Sequence, residues 1–165
     1  MADQVMVPVG IGELRAGRDP SEVLIAYGLG SCVGVCLWDP TARVGGLAHV
    51  MLPNSAEAIS QRPLGKFADH AVPLLLEEMV LLGADPARLI CKIAGGAQML
   101  VAPGFSTNGF NVGERNVEAV KSALELHRVP LRGAATGGNR GRTLSLHLAT
   151  GKVMVRTIGE REIEL

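Results

Sequence analysis

The chain is poor in aromatic side chains, with one Trp, one Tyr and three Phe. Its core must therefore be filled by Val, Leu, Ile, Ala and Met. It has no excess of either charge, because 16 basic and 16 acidic residues cancel. Nothing global then attracts nucleic acid or an anionic membrane surface. Cysteine is scarce too. Three thiols, at Cys32, Cys36 and Cys91, are too few and too unevenly spaced for a secreted disulfide scaffold. Cys32 and Cys36 stand about 13 Å apart on an extended strand, beyond the roughly 7 Å reach of a disulfide, and no second Cys/His pair completes a zinc set. Long apolar runs are missing as well: the greasiest stretch, 71–84, is broken by Glu77 and Glu78 and falls short of the ~20 residues of a membrane-spanning helix. The opening Met1–Met6 has neither a basic n-region nor an apolar h-region, which points to a soluble, cytoplasmic protein.

What is present suits a packed core. Hydrophobic residues make up 47% and charged residues 19% of 165 positions, so one domain over 1–165 is expected. Apolar β-type runs predict strands over 22–26, 33–38, 44–52, 88–94, 130–135, 143–148 and 153–158. The turn residues Asp39-Pro40-Thr41-Ala42 make 33–52 a hairpin. One helix is expected from Lys66 or His70 to Leu82, stopped by Gly83, with Pro73 in its first turn or kinking it. A second runs from Glu114 to His127 with Val117, Val120 and Leu124 as its apolar stripe. Strands outnumber helices and several are consecutive. The pattern predicts an α+β fold, a single layered domain of largely antiparallel or mixed sheets packed with two to three helices.

The chemistry-bearing feature is a glycine-flanked thiol, Gly28-Leu29-Gly30-Ser31-Cys32-Val33-Gly34, with His49 near the end of the next apolar strand. A four-residue loop at 39–42 pairs Trp38 with Arg43. Counting back then sets Cys32 directly opposite His49, with Cβ atoms about 5 Å apart on one face; a one-residue slip would separate them. An imidazole at that distance should hold the thiol below its ordinary pKa of ~8.5. Free cysteines are more often inert and buried, a description that fits Cys36 and Cys91. Gly28, Gly30 and Gly34 thin the backbone near Cys32, as a substrate approaching the sulfur requires. The glycine motifs at Gly95-Gly96 and Thr136-Gly137-Gly138-Asn139-Arg140 read as turns, the second with a possible place on the rim of a site. Asn111-Val112-Gly113 reads as the entry to the second helix, with Asn111 or Gly113 near its cap. Apolar residues in the 99–110 loop suggest either a binding surface or side chains folded onto the core.

Taken in order, Gly28–Val35, Ala48-His49-Val50-Met51-Leu52-Pro53, Ala94-Gly95-Gly96-Ala97, Asn111-Val112-Gly113-Glu114-Arg115-Asn116 and Thr136–Arg140 resemble the chemoreceptor glutamine deamidase family (CheD) over nearly the whole chain. The resemblance implies a cysteine-dependent amidohydrolase with Cys32 as nucleophile and His49 as its base. It needs no cofactor and no metal. Ser31, Gly30 and Thr136 are the candidates for oxyanion or supporting roles. The substrates it implies are glutamines of methyl-accepting chemotaxis receptors, and the partner a CheC-type phosphatase, with no nucleic acid and no membrane insertion. One position departs from the family: the threonine it carries six residues before the cysteine is Ala26 here. That alanine supports an alternative reading, a weakly active or non-catalytic module that binds and regulates the CheC phosphatase.

Overall fold

A computed structural model of the chain describes residues 3–56, 58, 60, 62–99 and 111–165. Its centre is the hairpin of β4 (Val33–Asp39) and β5 (Val44–Val50), every residue of which is buried. Both faces of this hairpin are covered, which explains a near-continuous apolar sequence in place of alternation. The residues Val33, Val35 and Leu37 of β4, with Val44, Ala48 and Val50 of β5, pack against α1 (Ala68–Leu81) and α2 (Val112–Leu126). The opposite set, Cys36 and Trp38 with Leu47, packs against a second sheet through Leu24, Leu29, Leu144 and Leu146. The result is three layers: helices, one sheet, then another.

The central sheet has the order β2-β5-β4-β6-β7, adding β2 (Leu14–Gly17), β6 (Ile90–Gly95) and β7 (Leu131–Thr136). The second sheet has the order β1-β3-β8-β9-β10, built from β1 (Val5–Pro8), β3 (Glu22–Leu29), β8 (Arg142–His147), β9 (Val153–Thr157) and β10 (Ile163–Glu164). The β1–β3 and β6–β7 pairs are parallel and the rest antiparallel. This is the expected α+β arrangement of mixed sheets, with two α-helices among the described residues where two to three were expected. The expected strands and helices are all present within a few residues of their predicted bounds; β1, β2 and β10 are additions.

Two small residues make the layering possible. A Cβ on Gly45 would lie 2.6 Å from a Leu148 methyl, and one on Gly46 2.7 Å from a Leu75 methyl. Adjacent glycines thus admit the opposite sheet on one side and α1 on the other. Pro73 lies inside α1 rather than in its first turn. Gly83 follows the helix at φ 104°, a left-handed stop. The apolar residues of the 100–110 loop lie outside the described residues.

The hairpin register differs from expectation. Asp39 pairs with Val44 and Gly34 with His49, so the predicted Trp38–Arg43 and Cys32–His49 pairings do not form. Asp39 is the cause: it stays in the ladder while its carboxylate accepts from the Thr41 and Ala42 N–H groups. Arg43, at φ 58°, then takes the left-handed place that closes the loop. The shift is two residues, an even number, so every side chain keeps its predicted face.

Candidate functional site

Cys32 lies just before β4, at the end of the 30–32 turn leaving β3. Its backbone is fixed from the neighbouring strand. The Gly96 N–H donates to the Cys32 carbonyl at 2.8 Å and the Ala97 N–H to the Gly30 carbonyl at 2.8 Å. Gly95 makes this approach possible, for at φ 116° a Cβ there would sit 2.1 Å from the Cys32 oxygen. The Gly95-Gly96 turn is therefore part of the cysteine's support, a role its spacing alone did not disclose.

The Cys32 side chain belongs to the layer between the sheets and keeps 9% of its surface exposed, against 1% for Cys36 and 0% for Cys91. Burial pushes all three thiols up from their ordinary value. For Cys32 the direction is opposite to the depressed thiol expected from the sequence, and burial is the cause. His49 pairs with Gly34, two residues along the chain from Cys32, so the direct Cys32–His49 pairing is absent.

His49 faces the same inter-sheet layer, two residues beyond Leu47 on β5, and is 2% exposed. Its Nδ1 lies 2.9 Å from the Val9 carbonyl oxygen. A carbonyl only accepts, so Nδ1 carries a proton, and in the neutral tautomer fixed this way the lone pair lies on Nε2. That Nε2 is buried and has no hydrogen-bond partner among the described residues. Val9 itself is held beyond β1 by donating its N–H to the Ile25 carbonyl at 2.8 Å. The imidazole is thus oriented across the layer by backbone of the opposite sheet.

Ala26 is fully buried in this layer, paired with Leu144. Of the residues near it in sequence, Tyr27 is 55% exposed and turned outward. The group that orients His49 is a main-chain carbonyl, which has no side-chain signature to find in a sequence.

Asn116 was also missed. It is fully buried on α2, and its Nδ2 donates at 2.9 Å to both the Ser31 and the Met51 carbonyls. A polar residue four before Val120 on an apolar helical face was the available signal. Asn111 caps α2, accepting from the Glu114 N–H at 3.0 Å, as its position suggested.

The other predicted site residues separate. Ser31 and Gly30 lie in the cysteine's own turn. Thr136 ends β7 opposite Gly95, one strand removed. It lines, with Gly96, Gln98, Gly137 and Gly138, a cavity of about 290 Å³. Gly137 and Gly138 take left-handed conformations where the chain crosses from β7 to β8. Two of the glycines around Cys32 are explained by packing: a Cβ on Gly34 would meet Leu144 at 2.5 Å, and one on Gly30 would meet Met99 at 2.9 Å, whereas Gly28 has open space around it and takes a left-handed φ of 63°.

Beside Ser31 opens a cavity of about 170 Å³, lined by Ala97, Gln98, Met99, Asn111, Val112 and Gly113. It is smaller than the ~300–1,000 Å³ common for whole small molecules, and neither Cys32 nor His49 lines it. A larger cavity, about 740 Å³ between Gly12, Leu14, Pro63, Leu64 and Leu74, is also lined by neither Cys32 nor His49.

Comparison with known proteins follows the same lines. The family model described as CheD chemotactic sensory transduction matches residues 51–157. Cys32 and His49 precede that span, and the likeness to full-length relatives extends over the whole chain. A protein of Symbiobacterium thermophilum, named as a probable chemoreceptor glutamine deamidase CheD, is 45% identical over 100% of both chains. The chemoreceptor glutamine deamidase CheD of Thermotoga maritima is 47% identical over 93% of each. Among solved structures, a Neisseria meningitidis protein of the DUF152 family aligns at TM-score 0.48 and 9% identity, covering 82% of this chain and 64% of that one.

Proposed function

This chain belongs to the CheD family, and from that premise we propose that it is a protein-glutamine deamidase that converts glutamine side chains of chemoreceptors to glutamate and ammonia. Cys32 is the nucleophile and His49 its base. The observation that carries this is the His49 Nε2, buried, without a partner among the described residues and on the face of the sheet that carries the least buried of the three thiols.

A thiol pushed up by burial is protonated at neutral pH, so no standing thiolate awaits the substrate. The proton leaves Sγ for His49 Nε2 as the sulfur attacks the glutamine Cδ. The C–S bond forms and the carbonyl π pair moves onto oxygen. Backbone N–H groups at Ser31 and Cys32 face the developing oxyanion, a kind of contact typically worth ~10²–10³ in rate per donor. The imidazolium then protonates the amide nitrogen, the C–N bond breaks and ammonia departs. Water, deprotonated by the now neutral His49, opens the thioester to glutamate and restores the thiol. The balance is glutamine plus water to glutamate plus ammonia, with no external oxidant or cofactor.

Among the described residues no helix is long and apolar enough to cross a membrane, consistent with a protein that meets receptors on their cytoplasmic portions. A CheC-type phosphatase is the partner that the family resemblance implies.

The test is Cys32→Ala on a receptor fragment. Ammonia release and the mass gain of about one dalton should vanish while far-UV circular dichroism is unchanged; full activity in that variant ends the proposal. Ala26 and the raised thiol favour a second reading, a regulatory module without turnover. That reading is selected if the wild-type chain, folded, releases no ammonia from any receptor fragment.

A further inference from the structure

Three observations converge on the buried amide of Asn116. Its Nδ2 donates both protons, to Ser31 O and Met51 O at 2.9 Å each. The two acceptors settle which end is nitrogen, since the reverse orientation would set three oxygens together. Its Oδ1 is buried and has no partner among the described residues, a penalty an apolar side chain at this core position would avoid. The residue is therefore placed for what its nitrogen does, not for how the helix packs.

The bond to Ser31 fixes more than one carbonyl. In a planar trans peptide the C=O and the following N–H point in opposite directions. Pulling the Ser31 carbonyl toward α2 aims the Cys32 N–H away from α2. The Gly30 carbonyl, held by Ala97, fixes the Ser31 N–H in the same manner. The bond to Met51 reaches the chain two residues past His49, just beyond the end of β5. One side chain thus ties the thiol's turn to the strand of the imidazole, from a helix whose first turn packs tightly on the Gly96 and Ala97 carbonyls at Gly113.

Resting on the Cys32–His49 reading, we propose that Asn116 is a positioning residue that aims the Cys32 amide at the substrate oxyanion and sets the thiol's turn against the histidine's strand. It touches no reacting atom. Its contribution belongs to the transition state, so its loss lowers turnover rather than substrate binding.

Asn116→Asp, isosteric but without the two donors, and Asn116→Leu, without donors or charge, are assayed for deamidation of a receptor fragment beside wild type and Cys32→Ala. For whichever variants are folded by circular dichroism, kcat should fall at least about tenfold with KM within about threefold, a fraction of what one oxyanion donor is worth. A purely structural role would lower the melting temperature and leave kcat of the folded protein within about twofold; that result overturns the proposal. Failure of both variants to fold also overturns it, since the residue would then be a folding determinant. An active Cys32→Ala would instead sink the underlying reading, and an inactive one beside fully active Asn116 variants sinks only this inference.

Discussion

At the scale of single residues, the site combines two side chains visible in the sequence with two contacts that were not. Cys32 and His49 stood out because a thiol among glycines and a histidine on the next strand are chemically unusual. The even register shift left their faces unchanged although their direct pairing failed. The Val9 carbonyl could not be read, since any residue offers one. Asn116 was in view but weighed only as part of a motif. Ala26 tests how far the Val9 carbonyl suffices. If Val9 O orients His49, restoring a hydroxyl by Ala26→Thr should change kcat by less than about threefold. It should also cost about 1–3 kcal/mol of stability, as extra atoms do in a filled core. A tenfold or greater gain in kcat would show that the carbonyl alone leaves the ring poorly held.

At the scale of elements, the hairpin was legible from Asp39-Pro40 and two apolar runs, but its register depended on what the Asp39 side chain does. That carboxylate is fully shielded and accepts from the Thr41, Ala42 and Asp85 N–H groups and from the Arg88 guanidinium at 2.9 Å. Burial works against its charge, yet Arg88 and these N–H groups together hold it well below the usual carboxylate range. A depressed folded-state value contributes stability above the unfolded value of about 3.9, and that contribution drains away as pH falls through the folded one. Asp39→Asn should accordingly lose about 2 kcal/mol at pH 7, and its deficit against wild type should shrink below about pH 4, read as urea midpoints. A deficit independent of pH would assign the effect to packing. The strands β1, β2 and β10 escaped sequence reading because they are short, with burial patterns too exposed for a period-two signal.

At the scale of the whole molecule, the layered α+β plan was foreseeable from the order of elements, but the division of ten strands between two sheets was not. Periodicity reports which residues are buried and not which surface buries them, so the double burial of β4 and β5 hid their membership of two interfaces. The layering predicts a simple chemical asymmetry. In the native protein a small alkylating reagent should modify Cys32 alone, and slowly near neutral pH because burial raises that thiol. In denaturant all three cysteines should react. Mass spectrometry counts the adducts, and native labelling of Cys36 or Cys91 at the rate of Cys32 would contradict the arrangement. The seam between the sheets also contains the chain's single tryptophan. Trp38 lies 6% exposed beneath the 150–151 turn, its indole within 2.3 Å of where a Gly151 Cβ would project. It sits six residues along β4 from Cys32, or about 20 Å. The molecule therefore carries a built-in fluorophore whose emission follows separation of the two sheets while remaining blind to a ligand seated on the sulfur.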